Sequence, residues 1–314
     1  MTKVAWVFPG QGSQAVGMGK DIYDEYPQAR EVFDLADEAL GFSLSRVIFE
    51  GPEERLTLTE YAQPALLTVS VACAAVLRDE GLRPDMVAGL SLGEYTALVI
   101  SGSLSFSDAV ILTHNRGLYM QEACPQGQGA MTALLGMSPE DVEELCTQAR
   151  SVGEVAGANF NCPGQIVVSG AKEAVDAVVS AAKKRGKRVI PLNVSAPFHS
   201  PLMIPAARRL KADLDTMQVG DPGITVYSNV TGEPIPDAAA AREALILQVT
   251  APVLWQKCIE SMVRDGAGAF IEVGVGKTLT GFGKRTHPEI PYAQFSVPGE
   301  LEAVLAFSKE ALLR

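Results

Sequence analysis

The chain has 314 residues and a formal net charge of -11, with 47% hydrophobic and 20% charged residues. This length suits about two domains with a substantial core, and the composition is that of an ordinary globular protein. The acidic charge argues against nucleic acid as a partner, and no uninterrupted apolar run approaches the roughly 20 residues of a membrane span. The five scattered cysteines lack C-x-x-C spacing, which favours reduced thiols in a cytoplasmic protein over disulfides or a metal site.

The first part of the chain alternates apolar strands with amphipathic helices. A strand over residues 4–8 precedes a loop rich in turn residues, and loops after a first strand are where α/β sheets build ligand sites. Helical patterns then follow over residues 26–40, 44–49, 62–79 (entered through Pro64), 94–99 and 107–123. A short apolar run that ends at Ala88 predicts a buried strand.

From Gly129 the spacing of elements becomes shorter. The predicted order is strand 130–135, helix 138–149, strands 155–160 and 165–169, helix 171–184 and strand 188–194. This β-α-β-β-α-β order is typical of ferredoxin-like modules. We therefore predict a small ferredoxin-like domain over residues 129–194, inserted into a large domain over residues 1–128 and 195–314.

The last part returns to alternating elements. Predicted helices cover residues 201–217, 242–249, 253–265, 279–284 and 301–313, and strands cover 225–228, 269–273 and 292–296. Such alternation predicts an α/β fold with a mainly parallel sheet and helices on both faces.

Ser91 lies in a turn between the strand that ends at Ala88 and the following helix, with Gly89 and Gly93 on either side as G-x-S-x-G. This arrangement is typical of a nucleophile elbow, in which glycines permit a sharp turn and helix amides lie beside the serine oxygen. The pattern alone also arises by chance, and a serine before a helix is commonly an N-cap.

A serine nucleophile needs a base, and the chain has three histidines. His114 lies within a helix and His287 in a surface-like loop before Pro288, whereas His199 follows a strand end in a loop framed by prolines. An imidazole can take and return a proton near neutral pH, so His199 is the favoured base.

Two other patterns indicate no further chemistry. Gly274 to Thr278 reads G-x-G-K-T but lacks the spacing of a P-loop, so we reject a nucleotide-hydrolysing function. Metal-ligand spacings such as H-x-x-x-H are absent from the sequence.

Several motifs together resemble one known family. They are F-P-G-Q-G-S-Q at residues 8–14, G-L-S-L-G-E-Y at residues 89–95, Arg116-Gly117, P-F-H-S at residues 197–200, and Gln248 followed by Pro252, Val253 and Trp255. In this order they resemble the malonyl-CoA:acyl carrier protein transacylases of type II fatty acid synthesis, which are related to polyketide acyltransferase domains. The resemblance spans essentially the whole chain and implies a large domain with an α/β-hydrolase-like core.

The resemblance implies roles for individual residues. Ser91 would accept the malonyl group as an ester, His199 would act as base and then acid, and Arg116 would bind the free malonyl carboxylate. A guanidinium suits that last role because it binds a carboxylate through two charge-assisted hydrogen bonds. The backbone amides of Gln11 and Leu92 would form the oxyanion hole.

The remaining implied contacts concern substrate and partner. Gln11, Gln248, Asn159 and Asn161 would bind substrate, and the Gln248 carbonyl would orient the His199 ring. Basic residues that could dock an acidic acyl carrier protein are Lys184, Arg185, Lys187, Lys284 and Arg285. Leu90 departs from the histidine that many members carry; we expect it to point away from Ser91 and to alter the channel wall or a hydrogen bond there, without removing activity.

The predicted enzyme is a monomeric acyltransferase with no permanently bound cofactor or metal and no membrane partner. Malonyl-CoA would be its substrate, and phosphopantetheine would arrive on the carrier protein. Three alternatives stay open: an acyltransferase that serves a polyketide pathway, a serine thioesterase or hydrolase, and a carrier-docking module without activity.

Overall fold

The computed structural model describes residues 2–125, 127–194 and 196–313, and contains two sheets. The larger has five strands in the order β7-β2-β1-β8-β9, and every recorded pairing within it is parallel. Its strands are β1 (Lys3–Phe8), β2 (Met86–Gly89), β7 (Thr225–Tyr227), β8 (Ala267–Val273) and β9 (Tyr292–Phe295). The predicted parallel α/β sheet is confirmed.

Helices cover both faces of this sheet because alternate strand residues point to opposite sides. On β1, Trp6 and Phe8 join one core and Ala5 and Val7 join the other. The helices of the large sheet are α1 (Lys20–Glu25), α2 (Pro27–Leu40), α3 (Leu44–Glu50), α4 (Glu53–Thr57), α5 (Thr59–Asp79), α6 (Leu92–Ile100), α7 (Phe106–Glu122), α10 (Ile204–Thr216), α11 (Ala238–Gln248), α12 (Trp255–Arg264), α13 (Thr278–Thr286) and α14 (Leu301–Leu313). Helices α5 and α14 pack in the first core, and α12 and α13 in the second.

The smaller sheet is antiparallel and has the order β4-β5-β3-β6. Its elements are β3 (Gly129–Leu135), α8 (Pro139–Ala149), β4 (Val155–Cys162), β5 (Gln165–Ala171), α9 (Lys172–Lys184) and β6 (Arg188–Pro191). Helices α8 and α9 cover one face, while Met131, Ala133 and Val167 on the other face pack against the large domain. The predicted order of elements is therefore confirmed. The face of the small sheet that α8 and α9 do not cover lies against the helices of the large sheet.

The longest helix, α5, differs from the prediction at its start. It begins at Thr59, so Pro64 lies inside it instead of opening it. A proline removes one helical N–H and leaves a carbonyl unpaired. The Glu60 carbonyl is instead 2.7 Å from His114 Nδ1, which accounts for the structural role of that histidine.

Helix α5 is also the one helix in the described ranges that is long and apolar enough to span a membrane by length and composition. In this fold, 83% of its apolar window is buried inside the protein, as in the core helix of a globular domain.

Other boundaries differ from the sequence prediction. The short helices α1 and α4 were not predicted, since their five or six residues carry too little periodicity. Strand β6 ends at Pro191, three residues earlier than predicted. Helix α11 begins at Ala238, earlier than predicted, where the Asp237 side chain caps it. The predicted domain boundary at residue 195 falls outside the described residues.

Candidate active site

Ser91 lies in the turn between β2 and α6, at the carboxyl edge of the parallel sheet. The flanking glycines are required by close approach: a Cβ on Gly89 would lie 1.9 Å from the Gly93 backbone, and one on Gly93 would lie 2.2 Å from Phe8 O. Ser91 itself has φ 53° and ψ -104°, a strained conformation typical of functional residues. The turn lifts the Ser91 hydroxyl into the space above the sheet.

The Ser91 hydroxyl faces the ring of His199, with 2.8 Å between Oγ and Nε2. The other ring nitrogen, Nδ1, is 2.7 Å from the Gln248 carbonyl. Since a carbonyl only accepts, Nδ1 carries the proton and Nε2 is free to accept the serine proton. Burial, assisted by the nearby Arg116 charge, lowers the pKa of His199 to about 4, so the ring is neutral at pH 7.

Arg116 on α7 brings a buried positive charge to the same serine. Its side chain is 1% exposed, and Nη2 donates to Ser91 Oγ at 3.2 Å. Nη1 donates to Gln63 Oε1 at 2.7 Å, and Nη2 also donates to Gln248 Oε1 at 3.0 Å, so these hydrogen bonds are all to uncharged groups. Among the residues that the structure describes, no carboxylate forms an ion pair with it, and burial lowers its pKa. A buried, unpaired guanidinium is costly and favours an anionic ligand.

The Gln248 side chain contacts Arg116 but does not line the cavity. Its Oε1 accepts from Arg116 Nη2 at 3.0 Å, and its Nε2 donates to Glu94 Oε2 at 2.8 Å. It is fully buried and absent from the cavity surface, because both ends of its side chain are already engaged. The expected direct contact with substrate therefore does not fit this position, whereas its carbonyl does hold the His199 ring.

The amides predicted for the oxyanion hole lie in two adjacent loops, because Phe8 of β1 pairs with Gly89 of β2. The neighbouring amides are engaged: Gly93 N donates to Leu90 O, and Glu94 N donates to Ser91 O. Within the described ranges, no hydrogen bond from the amides of Gln11 and Leu92 is recorded. Both residues line the cavity beside Ser91.

A cavity of about 230 Å³ connects these groups with the small domain. Asn159, Asn161 and Val167 form its wall on the small sheet, and Phe282 of α13 lies on the large domain. Asn161 is 6% exposed, and its Oδ1 has no hydrogen-bond partner among the described residues.

Leu90 is also part of this lining, with its side chain packed beside Gly10. The expectation that residue 90 shapes the channel wall fits this position, and the expectation that it points away from Ser91 stays a prediction. The turn after Leu90 folds the loop back so that residues 90 and 91 both border the cavity.

The five basic residues lie outside the cavity. Lys187 and Arg285 both bond to loops at the ends of small-sheet strands: Lys187 donates to Gly136 O, and Arg285 donates to Pro163 O. Lys184 and Lys284 are exposed, and they lie close in sequence to Lys187 and Arg285, respectively. Arg185 differs from the other four basic residues because it forms ion pairs with Asp141 and Glu144 on α8, which balance its charge.

Sequence reasoning missed three buried polar residues around the site. Gln63 and Glu94 lie on helices, and Asn229 lies in the loop after β7. Each of the three residues is at most 1% exposed. The one available signal for Glu94 was its position as a charged residue within the otherwise apolar α6, which indicates a buried polar role. Burial raises the pKa of its carboxyl to about 7.

Comparison with known proteins agrees with this geometry. The acyl transferase domain family matches residues 5–302. The chain belongs to this family. It is an acyltransferase with the parallel α/β core and small antiparallel subdomain of that family.

Among its acyltransferase relatives is the malonyl CoA-acyl carrier protein transacylase of Bacillus subtilis, 46% identical over 99% of this chain and 98% of the relative. The Escherichia coli K12 enzyme of the same name is 43% identical over 97% of this chain and 99% of its own. A crystal structure of an acyl carrier protein S-malonyltransferase from Vibrio cholerae superimposes with a TM-score of 0.94 at 41% identity, covering 96% of this chain and 100% of that one.

A further solved structure is described as a type II polyketide acyl carrier protein in complex with its malonyl-transacylase. It has a TM-score of 0.94 and 39% identity, and covers 97% of this chain and 99% of that one.

Proposed function

We propose that this acyltransferase moves the malonyl group from malonyl-CoA to the phosphopantetheine thiol of an acyl carrier protein, and so supplies fatty acid elongation. The observation that carries the proposal is the buried guanidinium of Arg116, 3.2 Å from a serine oxygen that also faces a neutral histidine. The names of its relatives point to the same reaction.

In the first half-reaction, Ser91 Oγ attacks the thioester carbon while its proton passes to His199 Nε2. The amides of Gln11 and Leu92 stabilise the tetrahedral oxyanion; such donors are worth about 3 kcal/mol each in other acyl-transfer sites. The C–S bond then breaks, and CoA leaves as a thiol with the proton from His199. A malonyl ester remains on Ser91.

The second half-reaction reverses these steps with a different thiol. The pantetheine thiol gives its proton to His199 and attacks the ester carbon, and Ser91 leaves with the proton returned. The buried Oδ1 of Asn161 is an acceptor for an amide N–H of the pantetheine arm, and Asn159 lies beside it. The enzyme needs no resident cofactor for either half.

Arg116 selects the acyl group. A malonyl carboxylate would pair with the guanidinium, whereas an acetyl group would leave the buried charge without a partner. A hydrolase of neutral acyl chains has no use for such a cation, which weighs against the thioesterase alternative.

The carrier would dock on the basic surface formed by Lys184, Lys187, Lys284 and Arg285, where acidic helices of a carrier meet positive charge. Arg185 is left out of this surface because its charge is already neutralised. Helix α13 links the surface to the site, since Phe282 lines the cavity and Lys284 lies just beyond it.

The proposal also includes two domains with the predicted boundaries and a monomeric, cytoplasmic enzyme. The buried positions of the five cysteines support a reducing compartment for this enzyme. A polyketide carrier is the second candidate partner, supported by the structural neighbour solved with such a carrier.

The test is competition between malonyl, methylmalonyl and acetyl thioesters. In Arg116→Ala we expect malonyl loading to fall by on the order of 100-fold or more, while acetyl loading changes little. Arg209→Ala, which removes a surface arginine paired with Glu122, is the matched control. Unchanged selectivity in Arg116→Ala would remove this residue from its role.

A further inference from the structure

Asn229 lies two residues after the end of β7, the strand beside β2, and its side chain reaches the serine turn from the neighbouring loop. Its Oδ1 accepts a hydrogen bond from Ser91 N at 2.6 Å, and its Nδ2 donates to Gly89 O at 2.8 Å. One carboxamide therefore bridges the two residues on either side of Leu90. Asn229 is fully buried, so water cannot replace these bonds.

The bridge answers a need created by the backbone. With φ 53° and ψ -104°, Ser91 belongs neither to the strand ladder nor to the first turn of α6. Without Asn229, the Ser91 amide and the Gly89 carbonyl would both lose these hydrogen bonds, and a strained residue persists only where its surroundings hold it.

A second set of contacts fixes Asn229 itself. Glu94 Oε2 accepts from Asn229 N at 2.9 Å and from Gln248 Nε2 at 2.8 Å. Gln248 Nε2 also donates to Ser91 O at 3.1 Å. The serine is thus held at both its N–H and its C=O by one buried network, which also reaches Arg116 through Gln248 Oε1.

We propose that Asn229 is a positioning residue that sets Ser91 Oγ in line with His199 and keeps the Leu92 amide directed at the oxyanion. By occupying the Ser91 amide it leaves the next amide, Leu92 N, as the free donor at this turn. The inference rests on the proposed function, because it assigns Asn229 to the acylation of Ser91. Asn229 does not line the cavity, so it acts through Ser91 and not on substrate.

The test compares Asn229→Ala and Asn229→Asp with the wild type in single-turnover loading from malonyl-CoA, followed by intact mass. In Asn229→Ala we expect the loading rate constant to fall on the order of 10- to 100-fold, with little change in the malonyl-CoA concentration that gives half-maximal rate. A simple loss of folded protein would lower the amplitude and not the rate.

Asn229→Asp supplies a pH-dependent rescue. In its neutral form, the introduced carboxyl group donates to Gly89 O and accepts from Ser91 N as the amide does, whereas the ionised form sets a carboxylate against that carbonyl. Burial raises the pKa of such a carboxyl, so the neutral form dominates at lower pH. We expect the ratio of variant to wild-type loading rates to rise as the pH is lowered from about 8 to 5.5.

Asn115→Asp is the matched control, since Asn115 bonds Asp213 on α10 and no group of this network. Its rate ratio should stay flat with pH. Asn229→Ala loading at the wild-type rate, or a flat ratio for Asn229→Asp, would overturn the inference, as would loss of folding in both variants. Failure of the wild type to form malonyl-Ser91 would instead reject the proposed function.

Discussion

At the scale of single residues, backbone strain falls on the two residues that we propose act as nucleophile and base. Ser91 and His199 are the two non-glycine residues with positive φ in the described ranges, at 53° and 57°. Each is held by a neighbouring polar group: Asn229 takes the Ser91 amide, and Ser200 Oγ donates to Pro197 O across the His199 turn. Strained positions of this kind must be over-determined by their surroundings.

The residues proposed to react could be named from the sequence because each lies in a short motif. Asn229 and Glu94 could not, since their partners lie more than 130 residues away along the chain. Their role depends on which strands become neighbours, and local pattern does not contain that information.

The low pKa of His199 predicts how acid affects loading. The neutral ring is needed to accept the serine proton, and it persists until the pH approaches about 4. We therefore expect kcat/KM for malonyl loading to lack the fall near pH 6.5 that an ordinary histidine would give, and to decline only near pH 4.

The measurement is a pH profile of single-turnover loading. Glu94→Gln is measured in parallel because the pKa of Glu94 is raised to about 7, so ionisation of its carboxyl could itself change the loading rate near neutral pH. The variant removes that ionisation and leaves the pH dependence of His199. A midpoint near 6.5 in both proteins would contradict the assignment of a buried, neutral base.

At the scale of elements, the serine turn depends on three segments that touch through backbone atoms. Sequence reasoning expected Gly89 and Gly93 to be required there, and the structure supplies the reason, which is the contact between α6, β2 and β1. Helix starts were less predictable. Pro64 is accommodated inside α5 because His114, on a helix later in the chain, forms a hydrogen bond with the Glu60 carbonyl that the proline leaves unpaired.

Gly93→Ala tests this contact. The added Cβ would lie 2.2 Å from Phe8 O, so α6 must move away from β1. We expect a loss of about 1–3 kcal/mol in the free energy of unfolding and a slower loading rate, because Ser91 and the Leu92 amide move with the helix.

Gly281→Ala is the control, as its Cβ would meet no atom within 4 Å. This exposed helical site should gain up to about 1 kcal/mol from the better helix propensity of alanine. Urea unfolding and loading rates measure both variants; equal stability in the two would show that the close contact is unimportant.

At the scale of the whole molecule, the site forms where the two sheets meet. Val253 N donates to Ala158 O, and Phe160 N donates to Val253 O, so β4 of the small sheet is joined to the segment before α12. Arg285 adds a second tie to Pro163. The order of elements was predictable from sequence, but the face of the small sheet that closes the cavity was not, because these ties are long-range.

Carrier docking is a prediction at this scale. Lys284→Glu should weaken transfer to a carrier protein by roughly 10-fold at low salt, yet spare loading from malonyl-CoA, because rim charges act mainly on association. Lys309→Glu makes the same charge change on α14, across the sheet from α13. Equal losses in loading and transfer, or equal effects of the two variants, would contradict the placement.

The most direct measurement follows one malonyl group through both half-reactions by intact mass and peptide mapping. After incubation with malonyl-CoA, we expect an adduct on Ser91 that is absent from Ser91→Ala and persists in water. Addition of a carrier protein bearing phosphopantetheine should then discharge the enzyme and leave the malonyl group on the carrier thiol. An adduct on another residue, or loss to water at the same rate with and without the carrier, would contradict malonyl transfer through Ser91.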